Sequence, residues 1–292
     1  LVKPTADQLD QEITARQPRI VFIHAFSVSA ASVIMLASRM PSVRFVVVSH
    51  SMENHVLTWP QFFTEMRLIL DASTRLGNQQ FAGSEDCEHW LEVGYDVLRW
   101  YWPCVLSEAY TDPPQLDPPS VLIVSRADIV KALPAQIIAA AILQRRRGVR
   151  VLYCVNGETG TRSKGLDDLT AAAGLQCERL PWVGYDGFLR RLREEVSVVL
   201  QPSMSETFNY VSWEAGSVGR PWVGSAAIRH TPVEWRANPN DASEIAMVAE
   251  TILDDYQDAS REARRIAVEV AARNNAAYAE SIGRLLDRSF AR

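Results

Sequence analysis

The chain has 292 residues, 47% of them hydrophobic and 22% charged, with a formal net charge of −5 at pH 7. A length near 300 implies about two domains of roughly 100–150 residues, and this apolar fraction is enough to build a core in each. The acidic balance argues against a general nucleic-acid binder, which carries a basic face, and no apolar run approaches the ~20 residues of a membrane span.

In chain order, short β-branched runs alternate with stretches of helical period, the pattern of a parallel sheet covered by helices. Residues 19–24 read as a buried strand, 30–39 as a helix, 43–49 as the next strand and 61–75 as a long helix. A short strand at 79–82 follows, and Ser84 is placed to cap a helix over 85–93. Residues 111–119 then hold four prolines in nine positions, which makes them neither helix nor central strand but a semi-rigid linker.

After the linker the alternation restarts. Strands are expected at 120–125, 150–155, 177–180, 196–201 and 221–224, with helices at 132–147, 166–173, 185–195 and 211–217 between and after them. Two final helices are expected at 242–256 and 259–288. The fold class is therefore α/β, with two doubly wound Rossmann-like domains facing across a cleft and the N-terminal one reduced. The expected domains are 1–113, 114–275, and a C-terminal helix over 276–292 that packs back toward the first. Ligands of such sheets bind beyond the carboxyl ends of the strands.

Cys87, Cys104, Cys154 and Cys177 form no CxxC pair, a usage that fits reduced thiols rather than a metal or disulfide framework. With no signal-peptide pattern in the opening residues, the expectation is a cytoplasmic protein without a transmembrane segment.

Residues 201–225, QPSMSETFNYVSWEAGSVGRPWVGS, carry the chemistry. They read as strand end, polar loop, helix, turn and strand. Glu206 falls at the loop-to-helix junction and Glu214 eight residues later. The amides of Thr207, Phe208 and Asn209 are expected to open the helix, where unpaired N–H groups and the helix dipole favour phosphate. Glu214 is placed to accept hydrogen bonds from vicinal hydroxyls such as those of a ribose. On spacing alone, the two glutamates read equally well as a cap and a surface carboxylate. Arg126 and Lys131, after the strand at 120–125, read either as solvated charges or as a clamp for an anion.

This segment resembles the E-x7-E signature of retaining GT-B glycosyltransferases of the GT4 family, P-S-x-x-E-G-F-G-x-x-x-x-E-A with a downstream G-x-P-V-V-x-S. Pro202, Ser203, Glu206, Phe208, Glu214, Ala215, Gly219, Pro221, Val223 and Ser225 fall in register with it. Thr207 and Asn209 stand where the family has glycines. The stretch from Ser125 to Lys131 is similar to the family's G-R-x-x-x-x-K element, with Ser125 for its glycine. The loop at Trp182 and Val183 is similar to its F-x-G-x-V element.

The resemblance implies transfer of a sugar from a nucleoside diphosphate sugar to a hydroxyl with retention at the anomeric carbon. Arg126 and Lys131 would neutralise the departing diphosphate without a metal. Glu206 would meet the donor sugar and Glu214 the ribose. Thr207, Phe208, Asn209 and Tyr210 would line the sugar and phosphates, and Asn156, Gly157, Trp182 and Val183 the nucleobase. His50 would orient sugar or acceptor, with His24, Glu53 and Asn54 on the acceptor side, although a lone histidine at a strand end is as readily structural. No cofactor is implied beyond the nucleotide sugar as co-substrate.

The expected acceptor is a small molecule, glycan, lipid or protein. One alternative is a viral-type member acting in a host cytoplasm on hydroxymethylated bases of DNA. An epimerase or phosphorylase relative is a second, and a non-catalytic nucleotide-binding module is a third.

Overall fold

A computed structural model of the chain describes residues 5–24, 28–49, 60–83, 93–95, 97–106, 110, 112–156 and 161–290. It divides into two units, one of Leu1–Pro103 with Arg273–Arg292 and one of Cys104–Ala272.

The first unit holds β1 (Ile20–His24), β2 (Arg44–Val48), β3 (Gln79–Gly83) and β4 (Val97–Arg99), all parallel and in chain order across the sheet. Among the described residues its helices are α1 (Ala6–Arg16), α2 (Ala30–Arg39) and α3 (Pro60–Leu76). Ser29 starts α2 by accepting from the amide of Ser32, and Thr5 and Gln8 form a capping box on α1; both supply partners for amides that a helix start leaves free. Successive strand residues face opposite sides of a sheet. Accordingly Ile23, Phe45 and Val47 join Val33, Leu36, Ile69 and Leu70 in one cluster. Phe22 instead meets the ring of Trp100 at 5.5 Å, and Trp100 meets Tyr278 edge-on at 5.2 Å. The side chain of Asn78 donates to the carbonyls of Ala37, Met40 and Val43, tying the end of α2 to the entry of β2.

The second unit holds β5 (Ser120–Arg126), β6 (Arg150–Asn156), β7 (Cys177–Arg179), β8 (Val198–Leu200) and β9 (Trp222–Val223), parallel in the order β7-β6-β5-β8-β9. The order reverses beside β5, so this sheet is doubly wound and has a switch point between β5 and β8. Its helices are α4 (Leu133–Arg147), α5 (Thr161–Ala172), α6 (Tyr185–Glu195), α7 (Tyr210–Ser217) and α8 (Ala242–Asp254). The last helix, α9 (Tyr256–Phe290), gives its early residues to this unit and those from Arg273 to the first. Val121 to Val124, Leu152 and Val198 to Leu200 are all buried, the near-continuous apolar run of strands covered on both faces. Arg146 and Arg147, at the solvated end of α4, pair with Glu250 and Asp254 of α8.

The α/β alternation of the sequence is this architecture, and most expected elements lie within a few residues of the observed ones. The strand β4 has no counterpart in the sequence reading. The single helix expected over 132–147 is preceded by a separate 3-10 turn, Ile129–Lys131, because Asp128 caps that turn and Ala132 takes a left-handed φ of 50° that breaks the helix. The final break falls at Asp255, after which α9 runs for 35 residues. The capping serine Ser84 and nearly all of the helix expected at 85–93 lie outside the described residues. Cys104, Cys154 and Cys177 are free thiols, and Cys87 lies outside the described residues. Among the described residues no helix is long and apolar enough to cross a membrane.

Candidate functional site

The site begins where β5 ends. Arg126 closes the strand, exposed and in register with Asn156 of β6. The chain then makes the Ile129–Lys131 turn, where the Asp128 carboxylate accepts from the Val130 amide at 3.4 Å. Gln136 of α4 donates to the carbonyl of Lys131 at 2.6 Å. The Met204 amide donates to the carbonyl of Val130 at 2.7 Å. This last bond joins the loop after β8 to the turn after β5, on the two sides of the switch point.

Glu206 lies in that second loop. Its side chain is only 8% exposed, and Lys131 Nζ, itself on a side chain 16% exposed, donates to Glu206 Oε1. Ser203 Oγ donates to the same oxygen at 2.8 Å and Asn209 Nδ2 at 2.9 Å. The Ser203 carbonyl accepts from Ser225 Oγ at 2.5 Å, which fixes the loop to the segment after β9. A buried carboxylate is costly unless it is paired and hydrogen-bonded, and Glu206 is both.

Asn209 also caps α7, its Oδ1 accepting from the Ser212 amide at 2.9 Å. The helix therefore opens at Tyr210. The expectation that the amides of Thr207, Phe208 and Asn209 open it is corrected: Asn209 is the cap, and Thr207 and Phe208 precede the helix. The ring of Phe208 packs on Tyr210 and His230, with centroids at 4.9 and 5.2 Å. His230 shares a 2.8 Å hydrogen bond with Ser212 Oγ and lies against Trp222.

Glu214 lies one helical turn further along α7 and lines a cavity of about 220 Å³ with Val124, Cys154, Trp182, Val183, Tyr185, Phe188 and Val211. The cavity sits at the carboxyl ends of β5 and β6. Its outer rim carries Trp182, 56% exposed. The loop bearing Trp182 leaves β7 with the Leu180 amide bonded to the carbonyl of Tyr153 at 2.8 Å. Burial pushes the carboxyl of Glu214 up to about 7, and its carboxylate has no hydrogen-bond donor among the described residues. Burial, and after it the charge of Glu214, raises the hydroxyl of Tyr185 above its usual range. The helix α7 is held against α9 at close range. A Cβ on Gly216 would lie 2.8 Å from the carbonyl of Ala263 and 3.0 Å from Trp222, and Trp213 Nε1 donates to the carbonyl of Ala267 at 3.0 Å.

The structure thus brings Lys131 to Glu206, and Glu214 to Trp182 and Val183. The two groups are linked, because Gln201 donates to the carbonyl of Val124 in the cavity wall and accepts from Asn209 Nδ2 at 3.1 Å. Arg126 lies at the same strand end without a polar partner among the described residues. Thr207 and Tyr210 flank the cap, and Asn156 closes β6. In the first unit His24 ends β1, its ring 6.2 Å from that of Trp100 and its pKa lowered by burial. His50, Glu53, Asn54 and Gly157 lie outside the described residues. Sequence reasoning did not single out Gln201, Tyr185 or Cys154 as site residues. Gln201 stands at the head of the informative segment, which is the one signal that could have found it. Among the described residues no group of three His, Cys, Asp or Glu side chains is placed to hold a metal ion.

Parallel Rossmann-like sheets in two units, the second with its site at a switch point, make this a GT-B glycosyltransferase fold. Several solved structures share it over nearly the whole chain. A sucrose-phosphate synthase from Thermosynechococcus elongatus matches with a TM-score of 0.72 at 16% identity, over 98% of this chain and 77% of that one. The Anabaena protein HepE, solved with UDP and glucose, matches with a TM-score of 0.71 at 16% identity, over 95% and 80%. A trehalose-phosphate synthase from Burkholderia xenovorans, solved with glucose-6-phosphate, matches with a TM-score of 0.69 at 12% identity, over 96% and 76%. No protein-family model matches the sequence, and no curated protein matches it.

Proposed function

We propose that the chain is a retaining glycosyltransferase of the GT4 type, moving a sugar from a nucleoside diphosphate sugar to a hydroxyl acceptor. The observation that carries this reading is the convergence in the second unit. Trp182, Val183 and Glu214 line one cavity, and hydrogen bonds through Gln201 and Asn209 connect its wall to the Lys131–Glu206 pair. The shared fold with HepE, solved with UDP and glucose, supports a nucleoside diphosphate sugar as donor.

In this reading the base lies by Trp182 and Val183, with Asn156 and Gly157 near it, and the ribose hydroxyls donate to Glu214. Lys131 and Arg126 neutralise the diphosphate, and the backbone from Thr207 to Tyr210 lines its path to the sugar, which Glu206 orients. The bond from the anomeric carbon to the diphosphate oxygen breaks as the acceptor oxygen bonds to the same face of that carbon. The acceptor proton passes to the departing diphosphate. Fixed positive charge placed where the departing diphosphate gains negative charge is the main kind of stabilisation a protein gives such a step. The first unit serves the acceptor, with His50 orienting it and His24, Glu53 and Asn54 nearby. The acceptor is a hydroxyl of a small molecule, glycan, lipid or protein. The net charge of −5 disfavours DNA. The proposal includes no metal, so EDTA leaves transfer unchanged.

The test is a thermal-shift panel of UDP, GDP, ADP, dTDP and CDP and their glucose derivatives. A ligand at a hundred times its Kd stabilises the fold by about 2.7 kcal/mol. A panel with no response at millimolar concentration overturns the donor site. The anomeric configuration of the transferred sugar, read by NMR, decides retention.

A further inference from the structure

The side chain of Asn209 is 4% exposed and all of its hydrogen-bonding capacity near the site is engaged. One amide hydrogen goes to Glu206 Oε1 at 2.9 Å and the other to Gln201 Oε1 at 3.1 Å, while Oδ1 accepts from the Ser212 amide at 2.9 Å. A carboxamide has two donors on one atom and an acceptor on the other. Turning it over would set an oxygen against two oxygens and a nitrogen against an N–H. Gln201 is oriented in the same way, since its Nε2 donates to the carbonyl of Val124. The direction of the whole chain of bonds is therefore fixed by two backbone groups, the Val124 carbonyl and the Ser212 amide.

The result at Glu206 is asymmetric. Lys131, Ser203 and Asn209 all donate to Oε1, and Oε2 receives no donor among the described residues. We propose that Asn209 is a positioning residue for donor-sugar recognition: it holds Glu206 Oε1 turned into the protein, so that Oε2 alone is presented to a sugar hydroxyl. The proposal rests on the second unit being a nucleotide-sugar site. It also accounts for how Glu206 stays in place once Lys131 turns to a diphosphate. The carboxylate then keeps two neutral donors, Ser203 and Asn209, without which a charge this buried would be left uncompensated. Because Asn209 also caps α7, the same side chain joins the carboxylate facing the sugar to the helix that carries Glu214.

The experiment compares the unaltered chain with Asn209→Ser, whose shorter side chain keeps an oxygen to cap α7, and Asn209→Gly, a residue tolerated at a helix cap; both withdraw the amide donor from Glu206 without adding a charge. Calorimetry gives the Kd of the nucleoside diphosphate, and of its glucose derivative, for whichever pair in the panel above binds the unaltered chain best. The diphosphate Kd is expected to stay within about threefold, whereas the contribution of the sugar, read as the ratio of the two constants, falls about tenfold or more, the worth of a hydrogen bond to a charged group. A purely structural role would weaken both ligands alike and leave the ratio unchanged, and that result overturns the proposal. Gln201→Met, which releases the other end of the Asn209 amide and leaves the cap intact, is expected to lower the ratio in the same direction. It serves as the reading if either Asn209 variant fails to fold, and an unchanged ratio there is equally fatal. If the unaltered chain binds no member of the panel, the donor site fails and this proposal fails with it.

Discussion

Lys131 and Glu206 stand 75 residues apart in sequence, and the lysine ammonium donates to the glutamate carboxylate across the switch point of the second sheet. The pair lies between the surface and the fully buried case, and it joins the two loops that border the candidate donor site. Lys131→Met is therefore expected to cost about 2–3 kcal/mol in urea denaturation, between the limits for exposed and buried pairs. Combining it with Glu206→Gln removes the stranded charge and should recover more than half of that loss. A single-variant loss below about 0.5 kcal/mol would mean that the pair contributes nothing to stability.

Glu214 makes the fold sensitive to pH. Its carboxyl is raised by burial from 4.5 to about 7, so between those values the folded chain holds a proton that the unfolded chain releases. Stability from this group is full below its unfolded value, falls as pH rises through the window, and levels off above the folded value. A displacement of that size corresponds to about 3 kcal/mol. Glu214→Gln is expected to leave stability unchanged near the acid end of the window and to raise it by up to that amount at roughly pH 8. Thermal melts across the window decide it, and a gain that is the same at every pH would contradict the assignment.

The same ionisation should govern binding. An ionised Glu214 accepts hydrogen bonds from both vicinal hydroxyls of a ribose, whereas the neutral acid accepts fewer and weaker ones. The affinity of an uncharged ribonucleoside is expected to rise as pH passes upward through about 7. In Glu214→Gln the affinity is lower and the rise is gone. An uncharged probe keeps the titration of phosphate out of the measurement.

Two glycines separate close packing from simple chain entropy. At Gly216 an added methyl group meets a backbone carbonyl of α9 at 2.8 Å, so Gly216→Ala must shift α7. A destabilisation of about 1–3 kcal/mol is expected, together with weaker nucleotide binding, because Glu214 rides on that helix. At Gly165, within α5, nothing lies within 4 Å of an added Cβ, and Gly165→Ala should stabilise by about 0.5–1 kcal/mol. Equal effects at the two positions would refute the packing argument.

The guanidinium of Arg220 is fully buried. It donates to the carbonyls of Leu192 at 3.1 Å and Pro114 at 3.0 Å, and to the carbonyl of Arg193 and the hydroxyl of Tyr256. Four partners exceed the three donors of an ammonium group. Arg220→Lys and Arg220→Met are both expected to cost about 3 kcal/mol or more in denaturant unfolding, because they leave buried carbonyls without donors. A Tm for Arg220→Lys equal to that of the unaltered chain would sink this account.

What the sequence made legible follows the range of the forces involved. The centres of β5 and β6, Val121 to Val124 and Val151 to Val155, are uninterrupted apolar runs, so burial on both faces wrote them plainly into the sequence. β4 is only Val97, Leu98 and Arg99 beside Trp100 and Trp102, and it is a strand because β3 and α9 receive it; no local pattern announces that. The opening of α7 was displaced because the amides of Thr207 to Asn209 were read as the start of the helix, when the Asn209 side chain caps it and the helix begins at Tyr210. The resemblance pointed to Lys131 and Glu206 separately, one for a diphosphate and one for a sugar, and no spacing in this chain announces that they meet each other. The hydrogen bonds of Gln201 and His230 depend on tertiary neighbours, and residue type alone gives both of them too many alternatives.

The last helix begins in one unit and, from Arg273, belongs to the other. Asn274 donates to the carbonyl of Trp102 across 172 residues of sequence, and Ser281 to the carbonyl of Arg99 across 182. On the ribosome the residues from Cys104 to Ala272 emerge as one uninterrupted block, whereas the earlier block waits for the later part of α9 to receive Tyr278 over Trp100. The part made first is the part finished last, and until then its aromatic face is held open to chaperones and proteases.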